Sequence, residues 1–107
     1  MFGRGYRVLL MPTIATPHVG ADMFKNKENK VDVWTGTGFG FALTWPWDLL
    51  NCYPIVDVPL GVVEQRMPSG MQVIGQTFAD LDSFHFAFNW SRLRPPLFAE
   101  GRFPMFT

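Results

Sequence analysis

Apolar residues fall in short blocks separated by proline, glycine and polar segments. Arg7-Val-Leu-Leu-Met11 is closed by Pro12, and an apolar run of this length ending on proline predicts a strand. Its hydrophobicity is continuous rather than alternating, which predicts cover on both faces, as in an α/β sheet. Thr13 to Gly20 reads as loop, and Ala21 to Lys30 as polar and exposed. Val31 to Trp34 is a brief strand or a turn. Phe39 to Leu50 is dominated by apolar and aromatic residues and predicts a buried helix or two helical turns. Pro46 can begin such a turn, because the first helical position needs no N–H. Pro54 blocks continuation. Ile55-Val-Asp-Val58 is β-branched and closed by Pro59, so it predicts a strand. Gly61 to Pro68 reads as a charged turn, and Gly70-Met-Gln-Val-Ile-Gly75 as a further strand. These last two strands can pair as a hairpin or insert into a larger sheet.

The clearest helix opens at Asp80, whose side chain can cap the free N–H groups, with Asp82 adding favourable charge near the positive helix end. Leu81, Phe84 and Phe88 follow one stripe, which Phe86, Trp90 and Leu93 widen. Arg92 and Arg94 fall in the last turn, where cations are favoured, and Pro95 and Pro96 stop the helix. The remainder to Thr107 carries Pro and Phe and is expected to pack loosely.

Composition sharpens this picture. The chain has 107 residues, enough for one small domain or a piece of a larger one. It carries 11 Phe and 4 Trp. Each large ring buries roughly 150–250 Å², and so small a domain has little interior to offer. Some rings are therefore expected to face a partner, a ligand or a further portion of protein. The formal net charge is zero, which argues against a nucleic-acid partner, since such binding needs a basic face. Lys25, Lys27 and Lys30 alternate with Glu28 and asparagines and read as a solvated loop. Cys52 is the sole cysteine, so no intrachain disulfide forms, and a cytoplasmic setting is expected. No apolar run approaches the ~20 residues of a membrane helix, and Met1 to Tyr6 has the pattern of neither a signal peptide nor an anchor. No membrane partner is expected.

Candidate chemistry is sparse. Thr35-Gly-Thr-Gly-Phe-Gly40 matches neither the dinucleotide fingerprint nor the P-loop, and a flexible loop before a helix accounts for it. His18 and His85 have no converging ligands, so no metal and no cofactor are expected. Cys52, near Trp47 and Tyr53, reads as a small buried residue rather than a nucleophile. Ser69 reads as a turn residue, and Ser83 and Ser91 as helix-surface residues. The lysines sit in a polar loop, where desolvation does not lower a lysine pKa. No serine–lysine pair is expected to work among them, so no catalytic residue is assigned.

The stretch Leu43-Thr-Trp-Pro-Trp-Asp-Leu-Leu-Asn-Cys-Tyr-Pro-Ile-Val-Asp-Val-Pro-Leu-Gly61 resembles the C-terminal block of amidase-signature enzymes. That block has an aromatic-Pro-Phe-Asn-Leu-Leu helix end, then Pro, a strand and Pro-x-Gly. A Pro-x-Gly and Gln-Val/Ile-Gly strand follows, here Pro68-Ser-Gly-Met-Gln-Val-Ile-Gly75. Ala79 to Pro95 is similar to the family's helix ending in Arg-Pro, and Tyr6-Arg-Val-Leu-Leu-Met-Pro-Thr13 to its Tyr-Asp-Val-Leu-Leu-x-Pro-Thr strand. Departures are Asp48 for Asn, Leu60 for a small residue, and Asn89 and Trp90 near a position that commonly holds Glu. A carboxylate at 48 among aromatics is expected to be paired or neutral.

The resemblance implies an α/β fold, with a partial mixed β-sheet and flanking helices. Residues 1–107 would then be a C-terminal fragment of an amidase domain. The family hydrolyses amides with a Ser–cis-Ser–Lys triad, the lysine acting as base through the bridging serine and the second serine attacking the carbonyl. Those residues belong to a Gly/Ser-rich signature and an upstream lysine, and this chain has no Gly-Gly-Ser-Ser-Gly-type run. The chain is expected to be inactive alone, its partner being the missing N-terminal amidase portion or another copy of itself. A small amide would be substrate only of the intact enzyme. Phe39, Phe41, Trp45 and Trp47 are the substrate-pocket candidates, with plain core aromatics as the competing reading. Two other possibilities stand beside the hydrolase: a non-enzymatic interaction module using a sheet edge and aromatics, and an independent small α/β domain.

Overall fold

The computed structural model describes residues 2–16, 42–62 and 68–94. A 3-10 turn at Phe2–Arg4 leads to β1 (Val8–Pro12); α1 (Trp45–Leu50), β2 (Ile55–Val62), β3 (Pro68–Gly75) and α2 (Asp80–Leu93) follow. The strands form one sheet in the order β1-β3-β2, antiparallel at both pairings. The fold is mixed α/β, and β2 and β3 realise the hairpin-like pairing. Where the resemblance implies a mixed sheet, every pairing of the described strands is antiparallel.

The register explains the two faces. Val73 lies opposite Leu10 on one side and Val56 on the other, and Met71 lies opposite Pro12 and Val58. Side chains alternate across a strand, so these residues share a face. There Val58, Met71 and Val73 are buried, and Val8, Val56, Leu60, Phe86, Ala87 and Trp90 pack on them. Helix α2 supplies the last three and lies over β2 and β3. Gln72 and Ile74 alternate with these residues onto the opposite face and are equally buried. β1 is covered less completely than its continuous hydrophobicity predicts, because Leu10 keeps 43% of its surface in water.

β2 does not end at Pro59. It continues to Val62 across a register shift between Pro59 and Gly61. Proline is tolerated because β2 lies at the edge of the described sheet, and Gly61 takes φ +125, which a side chain resists. Leu60 is the extra residue of this bulge and turns onto the core. The expected charged turn thus loses Gly61, Val62 and Pro68 to strands; residues 63–67 lie outside the described part.

The segment expected as a buried helix is α1, six residues long, with no buried residue and with Leu49 86% exposed. Pro46 does occupy its first turn. Asn51 ends it in the left-handed conformation, its N–H donating to the Trp47 carbonyl at 2.9 Å. Asp48 is exposed in the first turn, so water and the helix N-terminus accommodate it and no buried partner is required. Cys52 is exposed rather than buried, since the chain past α1 runs over the surface.

Helix α2 also departs from expectation at its start. The cap residue is Ala79, with no side-chain cap, and Asp80 is already helical. Asp82 instead accepts from Arg7 at 3.3 Å, a pairing of minor energetic weight because Arg7 is largely exposed. The apolar positions split between two faces. Phe86, Ala87 and Trp90 face the sheet, whereas Leu81, Phe84 and Phe88 are exposed. Ser83, expected on the helix surface, is fully buried. The reason is Gly75, where an added Cβ would stand 2.5 Å from the Ser83 hydroxyl and 3.1 Å from Pro54. A glycine at the strand end lets the helix come this close. Trp90 then donates its indole N–H to the Pro59 carbonyl at 2.7 Å.

Gly75→Ala is expected to cost about 1–3 kcal/mol through overpacking. Ser83→Ala in the same chain should recover most of that loss, as measured by a double-mutant cycle in denaturant. Equal losses with and without the hydroxyl would show that Ser83 does not set the spacing.

Candidate functional site

Three polar residues of the described part, Thr13, Asp57 and Gln72, come together on the sheet face opposite α2. Asp57 of β2 and Gln72 of β3 are directly paired in register. The Thr13 hydroxyl, just past β1, donates to Asp57 at 2.5 Å, and the Thr13 N–H donates to the Gly70 carbonyl at 3.2 Å. The bridge from Thr13 to Asp57 passes over Gly70, where a Cβ would fall 2.8 Å from the carboxylate and 2.9 Å from the hydroxyl. A side chain at 70 would displace that bond.

Gln72 ties this row to the chain leading into α1. Its amide nitrogen donates to the Pro12 carbonyl at 3.0 Å and to the Leu43 carbonyl at 3.2 Å. The Leu43 N–H donates in turn to the Thr13 carbonyl at 3.0 Å, and Ala42 bridges Ile14. Two carbonyl acceptors fix which end of the amide is nitrogen. Its oxygen is buried with no partner among the described residues, as is the Trp47 indole N–H. A Gln with one end doubly engaged positions chain; it transfers no proton.

Among the aromatic pocket candidates, Trp45 and Trp47 lie two residues apart on α1, a spacing that does not place side chains on one helix face. Trp45 is 45% exposed. Trp47 is half-buried and meets Tyr53 edge-on, with ring centroids 5.6 Å apart; the Phe2 ring also lies against Tyr53, at 6.2 Å. The geometry supports a packing role for Trp47 and separates Trp45 from it. Phe39, Phe41, His18 and the glycine-rich loop before Phe41 lie outside the described residues.

Among the described residues no nucleophile–base pair is brought together. All three lysines of the chain lie outside the described residues. The Ser91 hydroxyl donates to its own helix, to the Phe88 carbonyl at 2.7 Å, and the Ser83 hydroxyl is sealed between α2 and Gly75. His85 is exposed on α2. Among the described residues no group of three or more His, Cys, Asp or Glu is placed to hold a metal, and no helix is long and apolar enough to cross a membrane.

Sequence reasoning missed the Thr13–Asp57 bond and the role of Gln72. One signal was visible: a single amide inside the apolar run Met71-Gln-Val-Ile74. A buried polar side chain at such a position needs a partner. The identity of that partner depended on how β1 and the chain before α1 come together, which local pattern does not encode.

No protein family, curated protein or solved structure matches the chain.

Gln72→Leu leaves the Pro12 and Leu43 carbonyls without their donor and is expected to cost about 1–3 kcal/mol. Hydrogen exchange at the Leu43 N–H should accelerate more than at Val73. Equal acceleration at both would mean that Gln72 stabilises the sheet generally and does not anchor the segment before α1.

Proposed function

We propose that this chain is a C-terminal segment of an amidase-signature hydrolase, contributing architecture to an amide-hydrolysing site whose catalytic residues lie elsewhere. The reading is carried by the order of its motifs: Tyr6 to Thr13, Leu43 to Gly61, Pro68 to Gly75, and Ala79 to Pro95. Physical roles at the motif positions lend support. Gly70 makes room for the Thr13–Asp57 bond, Gln72 holds the chain entering α1, and Gly75 admits α2. A motif whose separated residues each solve a packing problem is a motif for building a scaffold.

In this reading the triad, its Gly/Ser-rich run and its lysine base come from an N-terminal amidase portion. The small amide substrate is bound only by the assembled enzyme. Of the two described pocket candidates, Trp45, exposed at the start of α1, is the one free to meet such a portion. A second reading, a non-enzymatic interaction module, is favoured by the exposed Leu81, Phe84 and Phe88 on α2.

The purified chain should show no amide hydrolysis alone. Adding a separately expressed N-terminal amidase portion that carries the serine signature should restore turnover. Turnover by the chain alone, or none after mixing although the two bind, would overturn the hydrolase reading in favour of the interaction module.

A further inference from the structure

Helix α2 is apolar on two sides, and only one is used. Its inward side is Ser83, Phe86, Ala87 and Trp90. Its outward side is Leu81, Phe84 and Phe88, exposed by 71%, 58% and 61%. The spacing i, i+3, i+7 places these three on one stripe. Just before the helix, Phe78 is 96% exposed and holds φ +62. A bulky residue in the left-handed region is strained, and strain is retained where the side chain's position is useful. Here the ring makes no intramolecular use of that position.

We infer that the outer face of α2 is a homodimer interface, in which two copies pack their α2 helices antiparallel about a twofold axis. Three features select a second copy as the occupant. The first is area. Taking ~200 Å² for a whole large apolar side chain, Leu81, Phe84 and Phe88 leave on the order of 400 Å² of apolar surface in water. A standard interface buries ~800 Å² per partner, somewhat over half of it apolar, so the patch matches one side of such an interface. The second is self-complementarity. With the axis at the level of Phe86, Phe84 of one copy stands level with Phe88 of the other, an aromatic pairing repeated twice by symmetry.

The third is charge. The same register brings Asp80 of one copy level with Arg92 of the other. The first turn of α2 holds Asp80 and Asp82, and its last turn holds Arg92. Antiparallel packing also sets each helix N-terminus beside the opposite C-terminus, where the helix dipoles attract. Arg92 lies 5.9 Å from the centre of its own Phe88 ring, so its cation already sits at the border of the stripe. The chain has no net charge to hold two copies apart. This inference does not rest on the hydrolase reading.

The test is sedimentation equilibrium on the full chain at low salt, with far-UV circular dichroism as a control for folding. The wild-type chain should reach twice its monomer mass of 12.2 kDa. Phe84→Glu, at an exposed position, should leave the spectrum unchanged and weaken the dimer at least ~10-fold, as expected for a central interface residue. Asp80→Arg should weaken it ~2- to 10-fold, the scale of two symmetry-related exposed ion pairs. Adding Arg92→Asp should restore it. Phe78→Gly should weaken the dimer while raising the melting temperature of the dissociated chain.

Should Phe84→Glu alter the spectrum, the charge exchange decides alone, since both of its positions are at the surface. A wild-type chain that stays monomeric at ~100 μM overturns the inference. So do assemblies that ignore both Phe84→Glu and the charge exchange, which would point to a sheet edge. Dimerisation without hydrolase complementation, or the reverse, separates this inference from the proposed function.

Discussion

Strand β3 is the constraint on which the described structure depends. Of the described strands it alone has a partner strand on each side, and Met71 through Gly75 are buried without interruption. A strand buried on both faces needs two covers, and each cover is fixed by a different residue. On one face Val73 and Met71 present an apolar surface to α2, and Gly75 sets how closely the helix comes. On the other face Gln72 offers no apolar surface and instead ties down backbone carbonyls from two other segments. Burial of an amide is tolerated only when its hydrogen bonds are supplied. Gln72 therefore makes the position of the chain before α1 a condition of folding.

Much of this was legible in the sequence, for reasons that can be named. Apolar runs bounded by proline and glycine located all three strands, because breaker residues act locally. Leu81 to Trp90 was recognisable as helix from periodicity alone. What periodicity did not disclose was which side of α2 meets the sheet. Leu81, Phe84 and Phe88 make as good a stripe as Phe86 and Trp90, and the choice between them is made by Gly75, in a different element. Ser83 went unrecognised for the same reason: a serine buried against a glycine has no signature on its own helix. Pro59 misled in the opposite direction. It reads as a strand terminator, yet an edge position with a bulge beside it carries the strand three residues further.

The candidate site follows the same logic. Residue types that suggested chemistry, such as the serines and His85, are placed where they pack or face water. The residues with the most engaged polar atoms, Gln72, Thr13 and Asp57, are those that join segments to one another. The aromatic excess noted in the composition is resolved unevenly. Tyr53 collects Phe2 and Trp47, and Phe86 stacks on Trp90, whereas the rings on the far side of α2 remain in solvent. Among the described residues, the exposed phenylalanines lie on α2 and just before it, while Tyr6 and Trp45 are exposed elsewhere.

The bond from Trp90 to the Pro59 carbonyl reaches beyond helix docking. Strand recruitment proceeds through an outer rim of alternating donors and acceptors. At Pro59 the imino nitrogen has no hydrogen to give, and the oxygen is already engaged by the indole. The bulge that follows breaks the spacing an incoming ladder would need. At this one position, Pro59, the outer side of β2 offers an incoming strand neither a donor nor a free acceptor, and the acceptor is withheld by a tryptophan whose ring packs on the core.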